Sequence, residues 1–238
     1  MSFAPAQAPA NTRIYAVGDV HGMDDKLRRV LANIYADAQG FAGQKQLVFV
    51  GDYIDRGLNS KGVVNLVLQG LDGFTTTTLL GNHDWQMQRF LAGAEDRHTH
   101  DWLYLFGGAA TLGSYGVQAT PTRKLAELRT ELQATIPASH VAFYSQLQHF
   151  AVSGGYLFVH AGVKPKVALE KQQLDDLIFP RPAHWHNHGL PYRIVFGHTI
   201  FEQPLVEAER IGIDTGAYAG GPLTCAVLEG ADVRFLQG

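Results

Sequence analysis

Cysteine is almost absent from this chain, and so is any concentration of basic residues. Its 238 residues include one cysteine, Cys225, so a disulfide within the chain is excluded and a reducing compartment is favoured. The 19 Lys and Arg residues are spread along the chain beside 22 Asp and Glu, which gives a net charge of −3. A nucleic-acid-binding domain needs a dense basic surface, so no nucleic-acid partner is expected.

Long apolar runs and targeting signals are missing as well. No apolar stretch reaches the ~18 residues of a membrane-spanning helix, so no membrane partner is expected. The opening MSFAPAQAPANT lacks the basic and apolar parts of a secretory signal, and we expect residues 1–12 to form a loose tail. With 46% hydrophobic residues the chain can bury a large core, and residues 13–238 are expected to form a single cytoplasmic domain.

Apolar periodicity predicts strands that alternate with helices in the first 80 residues. Strands are predicted at 13–17, 46–50 and 76–80, with helices at 23–38 and 62–71 between them. This β-α-β-α-β order predicts an α/β fold with parallel strands and right-handed crossovers. The stretch of about 85–150 is predicted to be helical and irregular, with a charged helix at 121–137. Later strands, of which the last are expected to be antiparallel, are predicted at 156–160, 192–196, 210–214, 223–229 and 233–237.

Short polar motifs follow five of the predicted strands. They are GDVHG (18–22), GDYIDRG (51–57), GNHD (81–84), HAG (160–162) and GHT (197–199). Ligand sites of α/β proteins lie at the carboxyl ends of strands, so the Asp, Asn and His side chains can converge. Carboxylate, amide and imidazole groups suit Mn, Fe or Zn, and their number exceeds the needs of one ion. The pattern predicts a pair of divalent ions roughly 3.5–4 Å apart, bridged by Asp52.

Taken in this order, the five motifs resemble the phosphoprotein phosphatase family of calcineurin-like metallophosphoesterases. The small serine/threonine protein phosphatases of bacteria and phages are the most similar branch, and FGGAATLGSYGV (106–117) and GHTIFEQP (197–204) also resemble it. The resemblance covers about residues 13–216. It implies a central β-sandwich of mixed sheets, built on the β-α-β-α-β scaffold, with flanking helices. It also implies two divalent ions, with manganese favoured and iron or zinc as alternatives.

The resemblance implies a role for each polar residue of the motifs. His83 would protonate the leaving alkoxide, and Asp55 would orient His83. Arg56 would bind the phosphate with its planar fork. A metal-bridging hydroxide would attack directly, without a phosphoenzyme. Arg181 and Asn82 would also contact phosphate. Around Arg181 the sequence departs from the family, because the tryptophan expected before the arginine is replaced and two prolines flank the arginine. The implied metal ligands are Asp19, His21, Asp52, Asn82, His160 and His198.

Each of these residues has an ordinary structural interpretation when it is considered alone. Asp19 could cap a helix, and Asp55 with Arg56 could form a surface turn pair. His160 and His198 could be core histidines with satisfied hydrogen bonds, and Asn82 could be an ordinary turn residue. Six such residues at strand ends are better explained by one shared metal site than by six separate coincidences.

Several other residues keep two interpretations open. Histidines 184, 186 and 188 of HWHNHG could line the substrate entrance or hold a third metal, but solvated loop histidines are more usual, as in RHTH (97–100). Trp102, Tyr104 and Phe106 could contact substrate, although core positions are more common for aromatic residues. Asp214 has a structural role as readily as a catalytic one, and Cys225 is expected to be packed in a strand.

Three functions are compatible with this sequence. The first is a monomeric phosphomonoesterase whose partner is a phosphorylated protein or peptide carrying phosphoserine or phosphothreonine, with phosphotyrosine also open. The second is a symmetrical diadenosine tetraphosphatase. Thr199 and the short spacing of 34 residues between Gly162 and Gly197 argue against it, whereas DTGAYAGGPLT (214–224) is similar to that group. The third is a non-catalytic scaffold for protein binding, which missing ligands would indicate, and none is missing.

Overall fold

The computed structural model describes residues 6–179 and 187–238. Two five-stranded sheets form its centre; most of the helices cover the first sheet, and the short helix Leu174–Ile178 packs on the second. The strands are β1 (Thr12–Val17), β2 (Gln44–Phe49), β3 (Phe74–Thr78), β4 (Phe150–Ser153), β5 (Tyr156–Val159), β6 (Arg193–Phe196), β7 (Leu205–Val206), β8 (Arg210–Gly212), β9 (Thr224–Glu229) and β10 (Asp232–Gln237). The helices are α1 (Asp24–Asp37), α2 (Ser60–Gln69), α3 (Asn82–Leu91), α4 (Arg97–Leu105), α5 (Gly108–Ser114), α6 (Leu125–Thr135), α7 (Ala138–Gln146) and α8 (Leu174–Ile178).

The first sheet has the order β10-β9-β1-β2-β3. Strands β1, β2 and β3 are parallel, as the β-α-β-α-β pattern predicts, and β9 and β10 are antiparallel. The second sheet has the order β4-β5-β6-β8-β7. There β8 runs parallel to β6 and antiparallel to β7, so the expectation of antiparallel strands at the end of the chain holds fully for β9 and β10 and only in part for β8. The predicted fold, a sandwich of two mixed sheets with flanking helices, is confirmed.

Strand β1 shows why the two sheets face each other. Its residues alternate between two apolar environments, because successive side chains of a strand point to opposite faces. Ile14 and Ala16 lie in the core between the two sheets, with Phe158 and Val195 of the second sheet. Tyr15 and Val17 lie in the core under the helices. A strand that is apolar on both faces must be central, and β1 therefore sits in the middle of its sheet.

The segment before β1 differs from its prediction. Residues 1–5 lie outside the described residues, but residues 6–12 are packed against the sandwich and do not form a loose tail. Ala8 is buried and its amide donates to the carbonyl of Gly230, while the amide of Gly155 donates to the carbonyl of Gln7. The Ala/Pro composition was misleading because short apolar side chains can also fill the edge of a core.

The chain between β3 and β4 forms the helical layer α3–α7, which agrees with the predicted helical region. Its amphipathic helices bury Leu103, Leu112, Leu128 and Leu132 against the outer face of the first sheet and against one another. The charged helix predicted at 121–137 is α6. No helix of the described residues combines the length and apolar character that a membrane span requires.

Candidate metal centre

The five polar motifs follow β1, β2, β3, β5 and β6, four of them in turns and GNHD at the start of helix α3. Because the carboxyl ends of these strands meet at one end of the sandwich, both sheets contribute side chains to one site. The described members of the predicted site are all found there. They are Asp19, His21, Asp52, Asp55, Arg56, Asn82, His83, His160 and His198. Arg181 lies outside the described residues.

The backbone of this site is unusual. Five non-glycine residues of the turns have positive φ angles, a region that side chains rarely adopt. These residues are His21 (47°), Asp52 (53°), Asp55 (73°), Arg56 (68°) and His198 (62°). Such conformations persist only where surrounding contacts hold them, and here the amides of Val20 and His21 both donate to the carbonyl of Asp52. The sharp turns direct the polar side chains inward over the strand ends.

Asp52 is the shared centre of two groups of ligand atoms. One group contains His21, Asp52 and His83, and the other contains Asp52, His160 and His198. Within each group the ligand atoms all lie within 4.8 Å of one another. The Oδ2 atom of Asp52 is 3.5 Å from Nε2 of His21 and 3.4 Å from Nε2 of His160. One carboxylate between two imidazole groups is the arrangement expected of a bridging ligand.

Backbone contacts set the tautomer of two histidines. Nδ1 of His21 donates to the carbonyl of Ile54 at 2.8 Å, and Nδ1 of His160 donates to that of Val50 at 2.9 Å. When Nδ1 carries the proton, the lone pair of Nε2 faces the site, as a metal ligand requires. Burial lowers the pKa of His21 to about 3, so its imidazole is neutral at pH 7.

Asn82 and His198 complete the second group. Oδ1 of Asn82 lies 3.0 Å from Nε2 of His160 and 2.9 Å from Nδ1 of His198. Burial, together with the neighbouring His160, lowers the pKa of His198 to about 4 and favours its neutral form. Three potential donor atoms therefore converge beside Asp52.

Asp19 provides the clearest test of whether divalent ions fit the site. Its carboxylate is buried, Oδ2 accepts the amide proton of His198 at 2.9 Å, and Oδ1 has no hydrogen-bond partner among the described residues. Burial, with the charges of Asp214 and Asp52, raises the pKa of Asp19 well above its usual value. A Cβ added to Gly197 would lie 2.0 Å from Oδ1, so the glycine is needed for this close approach. An unpaired buried carboxylate oxygen is costly, and a cation would satisfy it. The donor set therefore fits divalent metal ions.

His83 and Asp55 form a buried pair beside this centre. Nδ1 of His83 donates to Oδ2 of Asp55 at 2.6 Å, and the backbone amide of His83 donates to Oδ1 of Asp52 at 3.0 Å. Burial opposes the charged form, but the carboxylates of Asp52 and Asp55 raise the pKa of His83 to about 9. His83 is therefore protonated at pH 7 in the metal-free chain. It lines an open cleft and can donate a proton there.

Arg56 and the cleft lie above the ligand groups. The exposed guanidinium of Arg56 is 4.3 Å from the ring centre of Tyr218, and Nη1 donates to the Tyr218 hydroxyl at 2.9 Å. The cleft has a volume of about 330 Å³. Its lining combines Arg56, Asn82 and His83 with the aromatic side chains of Trp102, Phe106 and Phe179.

Sequence reasoning underrated the supporting residues of the site. Asp84 is fully buried and accepts the amides of Asp52 (2.7 Å), Tyr53 (3.2 Å) and Gly81 (3.1 Å), so it holds the turn that carries Asp52. Tyr218 was missed, although the glycines around it indicated a turn. Trp102 is buried, as expected, but its indole also donates to Asp55.

The histidine-rich segments have separate outcomes. Residues 184 and 186 lie outside the described residues. His188 is buried and lines a small pocket of about 30 Å³ with Tyr192 and Glu209, so it is not at the entrance of the cleft. From the other segment, His98 lines the cleft, whereas His100 lies against Tyr104 with 4.9 Å between ring centres. Asp214 is buried and accepts the amide of Gly216 at 2.9 Å, which supports the turn that carries Tyr218.

Curated relatives and solved structures are similar to nearly the whole chain. It is 28% identical over 234 residues to the asymmetrical bis(5′-nucleosyl)-tetraphosphatase PrpE of Oceanobacillus iheyensis, which covers 89% of this chain and 87% of that protein. The PrpE protein of Geobacillus sp. is 27% identical, and the match covers 89% of each chain. The structure of a putative diadenosine tetraphosphatase aligns with a TM-score of 0.66 at 23% identity and covers 98% of both chains. A cold-active protein-tyrosine phosphatase of Shewanella sp. aligns with a TM-score of 0.63 at 16% identity, covering 97% of this chain and 83% of that one.

The profile of the calcineurin-like phosphoesterase family matches residues 12–224, which include strands β1–β8 and every motif of the site. The broader part of the predicted resemblance is therefore confirmed, while the curated relatives bear the name of a tetraphosphatase and not of a protein phosphatase. This chain belongs to the calcineurin-like phosphoesterase family.

Proposed function

We propose that this metal-dependent phosphoesterase hydrolyses dinucleoside tetraphosphates asymmetrically, into a nucleoside triphosphate and a nucleoside monophosphate. The observation that carries the proposal is the position of Asp52, which belongs to two ligand groups at the floor of a cleft with aromatic walls. The names of the curated relatives support the substrate class, since the similarity extends over nearly the full length of both chains.

The ligands proposed for two divalent ions are those of the two groups, together with Asp19. They are Asp19, His21, Asp52, Asn82, His160 and His198. Bound ions would lower the pKa of water and neutralise phosphate charge. Manganese is the proposed metal, with iron or zinc as alternatives, because carboxylate, amide and imidazole donors suit all three.

Arg56 is proposed to bind the phosphate chain. Its planar fork can form two parallel hydrogen bonds to phosphate oxygens, which fixes orientation as well as charge. Contact with the Tyr218 ring and hydroxyl already restrains the guanidinium, so less side-chain entropy is lost when substrate binds. Asn82 lies in the same cleft and its amide can add a further contact.

His83 is proposed to supply the proton for the leaving oxygen. Asp55 holds Nδ1, so Nε2 is the nitrogen that remains for the cleft. As the bond between phosphorus and the leaving oxygen breaks, the electron pair stays on that oxygen and the Nε2 proton passes to it. Such proton transfer from a positioned side chain contributes about 10²- to 10⁴-fold in rate.

The aromatic walls of the cleft are proposed to receive a nucleobase. Phe106 is 50% exposed and Phe179 lines the same space, whereas Trp102, which also borders it, is buried and offers a base little surface. Stacking of a base on an aromatic side chain contributes about 1–3 kcal/mol and tolerates different bases. A phosphate chain held by Arg56 would then extend from the base to the ligand groups.

A protein phosphatase acting on phosphoserine, phosphothreonine or phosphotyrosine is the second candidate. The His83–Asp55 pair favours it, because a basic alkoxide needs a proton donor more than a phosphate leaving group does. The five motifs of the sequence also resemble that branch. These two observations support membership of the phosphoprotein phosphatase branch, which we propose only as the alternative to the tetraphosphatase.

The test is a turnover assay of metal-stripped protein with manganese, iron or zinc added back. The substrates are diadenosine tetraphosphate, a phosphoserine peptide and a phosphotyrosine peptide, with Asp52→Asn as the blank. We expect metal-dependent release of ATP and AMP in equal amounts. Two molecules of ADP would indicate symmetrical cleavage. Phosphate release from the peptides, without cleavage of the dinucleotide, would overturn the proposal in favour of the second candidate.

A further inference from the structure

Asp55 receives more hydrogen bonds than its contact with His83 requires. Its side chain is fully buried, and three side-chain donors reach its two oxygens. Oδ2 accepts from Nδ1 of His83 at 2.6 Å and from Nε1 of Trp102 at 2.6 Å. Oδ1 accepts from Oγ1 of Thr111 at 2.5 Å. Trp102 lies on α4 and Thr111 on α5, so two helices of the helical layer hold one carboxylate.

The hydroxyl network around Thr111 fixes the direction of its proton. The backbone amide of Asp55 donates to Oγ1 of Thr111 at 2.9 Å and to Oγ of Ser60 at 3.2 Å. Ser60 and Thr111 lie 3.0 Å apart, and because Thr111 gives its proton to Asp55, Ser60 donates to Thr111. Every polar atom of this group has a partner, so the carboxylate has one arrangement in which all contacts are satisfied.

The glycines of FGGAATLGSYGV bring the two helices close enough for these contacts. A Cβ added to Gly107 would lie 2.4 Å from the backbone nitrogen of Arg56, and one added to Gly108 would lie 2.7 Å from the Trp102 ring. Thr111 is in the same motif. This motif therefore packs directly against the turn that contains Asp55 and Arg56.

We propose that Trp102 and Thr111 are positioning residues for proton donation, and that they act through Asp55 on His83. A carboxylate that accepts from Trp102 and Thr111 cannot rotate freely, and it must also accept from Nδ1 of His83. The plane of the imidazole is then fixed, with Nε2 directed at the leaving oxygen. The inference rests on the role proposed above for His83.

Thr111→Val is the principal test, because valine keeps the shape of threonine and removes its hydroxyl. It is measured on a series of aryl and alkyl phosphates whose leaving groups differ in basicity. We expect kcat to fall about 10- to 100-fold for the most basic leaving group and little for 4-nitrophenolate, which needs no proton. KM and bound metal, measured by elemental analysis, should stay near the values of the unchanged protein.

Three further variants separate positioning from general structural damage. Thr111→Ser keeps the hydroxyl and should retain kcat for the most basic leaving group. Trp102→Phe keeps an aromatic ring without the donor and should lower kcat in the same selective manner. Thr99→Val is the matched control, since Thr99 is also a buried threonine of the helical layer but donates to Asp96 instead. It should leave the leaving-group dependence unchanged.

The His83→Asn background distinguishes failure of this inference from failure of the role of His83. If His83→Asn shows the selective loss, Thr111→Val should add nothing to it. An equal loss on all leaving groups, or a further loss when Thr111→Val is combined with His83→Asn, would overturn the positioning role. If His83→Asn lowers kcat equally for all leaving groups, or does not lower it, the proposed proton donor is wrong and the present inference falls with it.

Discussion

The strand-end turns and the helical layer differ in how their polar groups are satisfied. In the turns, Oδ1 of Asp19 is buried without a hydrogen-bond partner among the described residues. Where the turn of Asp55 meets the helical layer, both oxygens of this carboxylate are held by donors from α3, α4 and α5. An unpaired oxygen is suited to a ligand that arrives later, whereas a fully paired one is suited to keeping a geometry. The turns therefore present reactive groups, and the layer holds them in place.

Backbone strain shows the same difference. The positive φ angles of His21, Asp52 and His198 all occur in turns that carry proposed ligands. Trp102 and Thr111 lie within regular helices. Strain at the ligand turns is compatible with stability because the surrounding sandwich and helices over-determine the conformation.

Asp52→Asn is expected to have the largest effect of the substitutions at the strand-end turns, because it removes the carboxylate common to both ligand groups. We expect bound metal to fall and turnover to drop to background, while circular dichroism shows an unchanged fold. The exposed Asp232→Asn is the control for loss of one negative charge. Full activity of Asp52→Asn would rule out the two-metal site.

His83→Asn should lower turnover about 100-fold or more on substrates with basic leaving groups, since it removes the proton donor. His83 also belongs to one of the two possible ligand groups, so metal analysis decides between the two roles. Retention of both ions supports the acid. Loss of one ion would instead make His83 a ligand. His100→Asn, at an exposed histidine of α4, is the control.

Arg56→Ala should weaken binding of inorganic phosphate about 10- to 100-fold, because a hydrogen bond to a charged group contributes about 1.5–3 kcal/mol. Tyr218→Phe should have a smaller effect, about two- to tenfold, because only the neutral hydroxyl contact is lost. Product-inhibition constants measure both. In the Arg56→Ala background the tyrosine variant should have no effect, and an effect there would show that Tyr218 contacts phosphate directly.

The smallest expected effect is on the stability of the metal-free chain between pH 7 and 8.5. The pKa of His83 is about 9 in the folded chain and 6.5 in the unfolded one, so the folded state binds more protons in this interval. Protonated His83 makes its full contribution to the free energy of unfolding below pH 6.5. As the pH rises, this contribution is lost by up to about 1 kcal/mol per pH unit. Urea unfolding should show this slope, and His83→Asn should flatten it. If the free energy of unfolding of the variant falls equally steeply with pH, a group other than His83 is responsible for the slope.

Much of the scaffold could be predicted because its signals are local. Strands β1, β2 and β3 and helices α1 and α2 follow from apolar periodicity, and the parallel order follows from their alternation. Strands β4 and β7 were not predicted, because they are short and only their pairing partners identify them. The order of residues 6–12 likewise depends on contacts with distant parts of the chain.

The choice between a phosphoprotein and a dinucleotide could not be read from the motifs. Both substrates present a phosphoryl group, and the residues of the five motifs are proposed to act only on that group. The cleft that can separate the two substrates is lined by residues of α4, by Phe106 just after α4 and by Phe179, and only the folded chain brings Phe179 to the other two.

The proposed ligands can be identified from the sequence alone, because each of them follows a predicted strand and parallel strands end at one edge of a sheet. The arrangement that orients them is a property of the folded molecule. Asp55 is 47 residues from Trp102 and 56 from Thr111, and Arg56 is 162 from Tyr218. No local pattern connects positions so far apart. Only the packing of the helical layer on the sandwich brings these side chains within hydrogen-bond distance.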